Sequence, residues 1–328
     1  MTMLTSNLDI FIQKMNNLGQ KGIPFLFVID YEMNSPAIYT FQDAAKEGIY
    51  FSVNGLRNKE IAAMCKQQLD FRKKNIDFPF YLTAFQKVLN QIHLGNTFLL
   101  NLTFPTEIET NWSLERIFEE SSAPYRLLFK DQFVVFSPEC FVRISNGEIS
   151  SFPMKGTINA AIECADDIIM ADEKEKAEHA TIVDLIRNDL SMVANNVHVK
   201  RYRYLDEIVT HDKRLLQVSS EISWTLPADY QSNIGSIVCK LLPAGSICGA
   251  PKDSTLKIIR EVEGYQRGYY TGVFGIFDGN NLDSAVMIRF IEQMNCKLFY
   301  KSGGGITMKS DPEKEYNELI DKIYVATH

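Results

Sequence analysis

The segment Asp172–Met192, DEKEKAEHATIVDLIRNDLSM, carries carboxylates at a spacing that can do chemistry. At 3.6 residues per turn, Glu175, Glu178, Ile182, Ile186 and Asp189 fall on one helical face, so the acids continue an apolar stripe. Buried carboxylates are costly unless they are paired or hold a metal. The competing reading is a solvated first turn whose acids complement the helix dipole, and this segment alone leaves both open. A second Glu-x-x-Glu lies in Ser310–Ile323, SDPEKEYNELIDKI. Asp311 before Pro312 marks a helix start and puts Glu315 and Glu318 on one face. Two helices presenting such pairs could hold a hard divalent cation through oxygen, which suits Mg²⁺ and not Zn²⁺. Acidic pairs at this spacing are common on surfaces, so the second pair is a weak signal alone.

Lys155 sits in Ser151–Thr157, SFPMKGT, after a strand-like run and beside a glycine. A lysine amine becomes a nucleophile when desolvation lowers its pKa, although an exposed loop lysine is the commoner case. Glu139 opens the preceding strand pair, and a hairpin there would bring it near Lys155 as an acid/base couple. Two glycine-rich turns, LLPAGSICGAPK at 241–252 and SGGGI at 302–306, expose backbone N–H groups of the kind that bind anions. An isolated glycine triplet more often serves only a tight turn. Neither loop matches a Walker A or dinucleotide fingerprint, which disfavours ATP and NAD.

These groups must be held by a frame, and the rest of the chain supplies one. Its 328 residues are 45% hydrophobic and 23% charged, ordinary globular usage. The net charge of −7 gives no electrostatic reason to expect nucleic acid or an anionic membrane as partner. None of the six cysteines forms a CxxC pair, and no apolar run reaches the length of a membrane span, so a soluble, cytoplasmic protein with reduced thiols is expected. Strand-like runs cover 24–29, 37–40, 50–53, 97–104, 125–129, 132–137, 139–144, 148–152, 272–277, 284–293 and 297–302. Helical patterns fall at Asn58–Lys73 and Pro79–His93. Turns such as Ser145-Asn146-Gly147 and Asp278-Gly279-Asn280 favour antiparallel pairing, hence an α+β fold of antiparallel β-sheets covered by helices.

Together these segments resemble the chorismate-utilising enzymes. The matching pieces are SPE at 137–139, PMKGT at 153–157, E-x-x-EH with VDLIRNDL across 175–190 and GSICGAPK at 245–252. RGYYTGVFG at 267–275, IRF at 288–290, and GGGIT with DPEKEYNE across 303–318 complete them in the family's order. The resemblance implies one chorismate-binding catalytic domain over 1–328, with 1–95 its N-terminal part, short for the family, and 96–328 bearing the motifs. It implies Mg²⁺ at Glu178 and Glu318, with Glu175 and Glu315 beside them. The enolpyruvyl carboxylate would meet Tyr270, Arg289, Gly303 and Gly305, and the turn of Gly245, Cys248 and Gly249 would lie against the ring carboxylate.

Within the family, aminodeoxychorismate synthases carry lysine in the PMKGT segment, whereas anthranilate, isochorismate and salicylate synthases typically carry alanine. The resemblance therefore implies Lys155 attacking C2 of chorismate, Glu139 protonating the departing C4 hydroxyl, and ammonia then adding at C4. The product would be 4-amino-4-deoxychorismate, on the route to p-aminobenzoate and folate. Leu99, Gln217, Cys248 and Ser191-Met192 depart from residues usual in relatives, and no Leu-Leu-Glu-Ser element of tryptophan-regulated members is present. No cysteine sits in a Gly-x-Cys-x-Gly elbow, so ammonia is expected from a separate glutaminase subunit. The alternatives are anthranilate synthase component I, which Lys155 opposes, and a non-catalytic chorismate-binding regulator, which retention of Lys155, Glu139 and four carboxylates opposes.

Overall fold

Asn146 and Gly147 both adopt positive φ, 51° and 76°, as a right-twisted two-residue hairpin requires, and join Cys140–Ser145 to Glu148–Ser151. At Asp278 the side chain accepts from the backbone N–H of Asn280 and Asn281, closing the turn from Val273–Phe277 to Leu282–Val286. Such local turns build two antiparallel sheets in the computed structural model, which describes residues 6–60, 67–194, 197–209 and 214–327.

The first sheet runs in the order Met154–Asn159, Arg214–Thr225, Glu148–Ser151, Cys140–Ser145, Leu282–Val286, Val273–Phe277, Phe25–Ile29 and Ala37–Tyr39, with His198–Val209 also on Arg214–Thr225. The second runs Gly249–Ala250, Leu99–Thr110, Lys297–Ile306, Phe290–Met294, Phe133–Ser137, Tyr125–Phe129, Ile49–Val53 and Leu56–Arg57, with Phe71–Lys74 also on Leu99–Thr110. Alternation along the strands sorts their side chains into two cores. Leu26, Val28, Phe274 and Ile276 of the first sheet meet Phe51, Leu127, Val135 and Phe290 of the second. Phe25, Phe27 and Ile29 point the other way, into a core shared with the helices Asn7–Gln20, Phe78–His93 and Leu114–Glu120. The sheets thus face each other and helices cover their outer sides, the expected α+β arrangement. No helix among the described residues is long and apolar enough to cross a membrane.

Two sequence expectations fail. The run 284–293 is not one strand: Leu282–Val286 belongs to the first sheet and Phe290–Met294 to the second. Arg289, at φ 52°, breaks the pleat between them, and period-two patterning carries no sign of a change of sheet. The helix expected over Asn58–Lys73 ends instead in the strand Phe71–Lys74, paired with the far end of Leu99–Thr110, while 61–66 lie outside the described residues. There an available sheet edge outweighs local helical preference.

Candidate active site

Lys155 lies inside the strand Met154–Asn159, where pairing with Arg214–Thr225 shifts register. The shift is a bulge, and Gly156 within it has φ of 80°. A Cβ on Gly156 would stand 3.3 Å from Glu175 Oε2, so glycine lets the bulge press against the helix Glu173–Ser191. Lys155 Nζ then reaches Glu178 Oε2 at 3.1 Å. Burial favours the neutral amine, but the negative charges of Glu178, Glu318 and Glu175 outweigh it and hold the Lys155 pKa above its usual value. The expected lowering is corrected: in this arrangement Lys155 is an ammonium among acids.

The second acidic pair is carried by the helix Pro312–Asp321, whose cap Asp311 accepts from the N–H groups of Glu313 and Lys314. A Cβ on Gly304 would stand 3.4 Å from Glu315 Oε2 and 3.8 Å from Glu318 Oε1, so the glycine strand passes directly under both acids. Lys322 Nζ bridges Glu318 Oε1 at 2.6 Å and the Gly303 carbonyl at 2.9 Å. Among the described residues no three acids, imidazoles or thiols stand close enough to hold a metal ion as they are. The donor set is nevertheless oxygen-only, comes from two helices, and gathers around a positive charge, as a hard divalent cation requires.

Glu139 immediately precedes Cys140–Ser145 and is half-buried, and Ser246 Oγ donates to its Oε1 at 2.7 Å. Burial pushes the Glu139 carboxyl above its usual pKa, in spite of the Ser246 bond and the charge of Lys155. Ser246 belongs to the short helical turn Gly245–Cys248, and close packing requires glycine both at its start and immediately after it. A Cβ on Gly249, at φ 117°, would lie 1.8 Å from the Leu99 carbonyl, and one on Gly245 would lie 2.8 Å from Asp189 Oδ2. Arg267 fixes the turn from behind, donating to the carbonyls of Ile247 and Asn101 and bidentately to Glu263.

These elements line an open cavity of about 320 Å³. Lys155, Glu139, Gly249, Tyr270, Arg289, Gly303, Gly305 and Glu318 all line it. Leu99 and Gln217, two of the departures, line it as well, and Gln217 donates to Thr157 Oγ1 at 3.4 Å. Cys248 does not: it is fully buried, its thiol pushed up to about 11 by burial, and Ser246 and Ile247 form the wall in its place. Gly245 lies behind Ser246, against Asp189, and is also absent from the cavity wall. Sequence reasoning missed Ser246, Lys301 and Lys322, which also line the cavity. Only Ser246 lay within a recognised motif; Lys301 is buried and ion-paired to Glu292 at 2.6 Å, a contact no spacing rule reveals.

A model of chorismate binding enzymes matches residues 29–328. The chain belongs to this family. It is 49% identical to an uncharacterized PabA-like protein of Haemophilus influenzae, over 98% of each chain. A PabA-like protein of Pasteurella multocida is 48% identical over 97% of this chain and 99% of its own. Anthranilate synthase component 1 of Acetivibrio thermocellus is 33% identical over 72% of this chain and half of its own length. Among solved structures, the fold is similar to the menaquinone-specific isochorismate synthase of Escherichia coli, with TM-score 0.74 and 15% identity over 98% of this chain and 82% of that one. It is also similar to anthranilate synthase component I of Streptococcus pneumoniae, with TM-score 0.65 and 25% identity over 78% and 59%.

Proposed function

We propose that the chain aminates chorismate with ammonia, giving 4-amino-4-deoxychorismate, as the synthase component of an aminodeoxychorismate synthase. The observation that carries this reading is a lysine amine and a carboxyl with raised pKa lining one cavity, Lys155 and Glu139. The PabA-like name borne by two full-length relatives accords with it.

Once Lys155 has given up its extra proton to water, its amine lone pair attacks C2, the ring double bonds shift, and the C4–O bond breaks. Glu139 gives its proton to the departing hydroxyl, which leaves as water. Ammonia then bonds to C4, the double bonds return, and the C2–N bond pair goes back to Lys155. The extra proton on the new amine returns to Glu139. Two covalent steps replace one difficult substitution, and the enolpyruvyl ether stays intact.

Glu175, Glu178, Glu315 and Glu318 are the residues that would hold Mg²⁺, which supplies charge neutralisation for the ring carboxylate when bound. Arg289, Tyr270 and the N–H groups of Gly303 and Gly305 orient the other carboxylate. Four cationic side chains in the cavity wall, Lys155, Arg289, Lys301 and Lys322, offset the acidity of the whole chain for a dianionic substrate. Glutamine-derived ammonia would come from a separate glutaminase subunit.

The deciding experiment supplies the pure chain with chorismate, Mg²⁺ and an ammonium salt and identifies the product by chromatography and mass. Anthranilate as the main product would transfer the assignment to anthranilate synthase component I.

A further inference from the structure

Behind Glu139 lies a second, smaller chamber of about 30 Å³. It shares Glu139, Pro153 and Ser246 with the large cavity, so the two spaces adjoin at these three residues. Its volume is that of one molecule the size of water or ammonia. The lining side chains with polar atoms are the carboxyl groups of Glu139 and Asp189, the hydroxyls of Ser151 and Ser246 and the thiol of Cys140, and no lysine or arginine lines it. Lys252 meets Asp189 at 2.8 Å without itself forming part of the lining. The remaining walls are largely apolar, among them Ile186, Leu190, Leu241 and Val286.

The two compartments therefore differ in charge. The large cavity sets four cationic side chains, three of them ion-paired, beside Glu139 and Glu318, whereas the chamber wall offers carboxylate and hydroxyl acceptors to a small molecule rich in N–H donors. One face of the helix Glu173–Ser191 serves both, with Ile182 in the cavity wall and Ile186 and Asp189 in the chamber.

We propose that this chamber is the binding site for the ammonia that adds at C4. The inference rests on the amination reading. If Glu139 protonates the leaving hydroxyl, as the amination reading requires, a nucleophile held against the same side chain would add to C4 from that side. The electron pair of ammonia forms the N–C4 bond, the C2–N bond pair returns to Lys155, and the proton released by nitrogen goes to the Glu139 carboxylate. Substrate and nucleophile are thus sorted by charge and size before they meet.

Ile186 tests this, because it borders the chamber and not the cavity. With saturating chorismate and Mg²⁺ at fixed pH, ammonium chloride is titrated against wild type and Ile186→Phe, and the aminated product is measured by mass. Filling the chamber should raise the KM for ammonium about tenfold or more, the scale of effect of a misfit methylene or two in an apolar pocket. The KM for chorismate should stay within about twofold, a readout that general damage to the fold would move. Ile186→Ala, a cavity-creating change, should admit methylamine as nitrogen donor where the wild type rejects it, which decides the matter if the phenylalanine variant does not fold. Equal shifts in both KM values, no shift in either, or methylamine use by the wild type would overturn the chamber. A wild type that forms no aminated product at all overturns the amination reading itself, and the chamber with it.

Discussion

Lys155 Nζ lies 3.1 Å from Glu178 Oε2, so the amine expected to attack the substrate and a carboxylate expected to bind the cation neutralise each other. In that state the amine is protonated and has no lone pair to use. Any positive charge that the acids accept from elsewhere weakens their hold on the Lys155 proton, which links cation binding to activation of the amine.

Metal removal should therefore stop turnover, and EDTA should abolish amination until Mg²⁺ is restored. Mg²⁺ should also raise the melting temperature of the wild type, since a ligand that binds only the folded state stabilises it. Glu178→Gln and Glu318→Gln should remain folded, lose that rise, and lose most of their activity. Full turnover in a metal-free preparation would refute the metal requirement.

Lys155→Ala should suppress 4-amino-4-deoxychorismate synthesis while the circular dichroism spectrum stays that of the wild type. In the wild type, rapid quenching should yield a peptide containing Lys155 with the mass of dehydrated chorismate added. An undiminished rate in Lys155→Ala would leave the function standing and remove the covalent mechanism.

Glu139 must be protonated to assist the leaving hydroxyl, and burial raises its pKa. With free ammonia held constant, the rate should hold up above the usual carboxylate range and fall as pH rises through the raised pKa, where the acid is lost. Glu139→Gln should cost roughly 10²–10⁴ in rate and erase that limb of the profile. Persistence of the same limb in Glu139→Gln would assign it to another group.

The pair Arg267–Glu263 is all but inaccessible, about 1% exposed on each side chain, and supports the turn that carries Ser246. Arg267→Ala should destabilise the fold by about 3–5 kcal/mol, because Glu263 is left as an uncompensated buried charge. Denaturant titration measures this, and a loss below about 1 kcal/mol would contradict it.

Glutamine should support amination only when a separate glutaminase is added, whereas ammonium salts should serve the isolated chain. Glutamine-dependent product from the pure chain would place a glutaminase within it.

The sequence by itself determined the strand register around Asn146-Gly147, the antiparallel character of the sheets and the common face of Glu175, Glu178 and Ile182. Those features follow from backbone torsions and helical period, which neighbours in the chain fix. It also determined family membership, because long motifs keep their order whatever the fold does with them. Only the tertiary structure decided that residues 282–294 serve two sheets, that Phe71–Lys74 is an edge strand, and that Lys155 sits in a bulge facing acids. The same holds for the turning of Cys248 into the core and for the hydroxyl of Ser246 on Glu139, 107 residues away in sequence. Each depends on which distant surface is free to accept a strand, a charge or a proton. The direction of the Lys155 pKa is the sharpest case: burial, which sequence context suggests, lowers it, but the carboxylates of two remote helices raise it further.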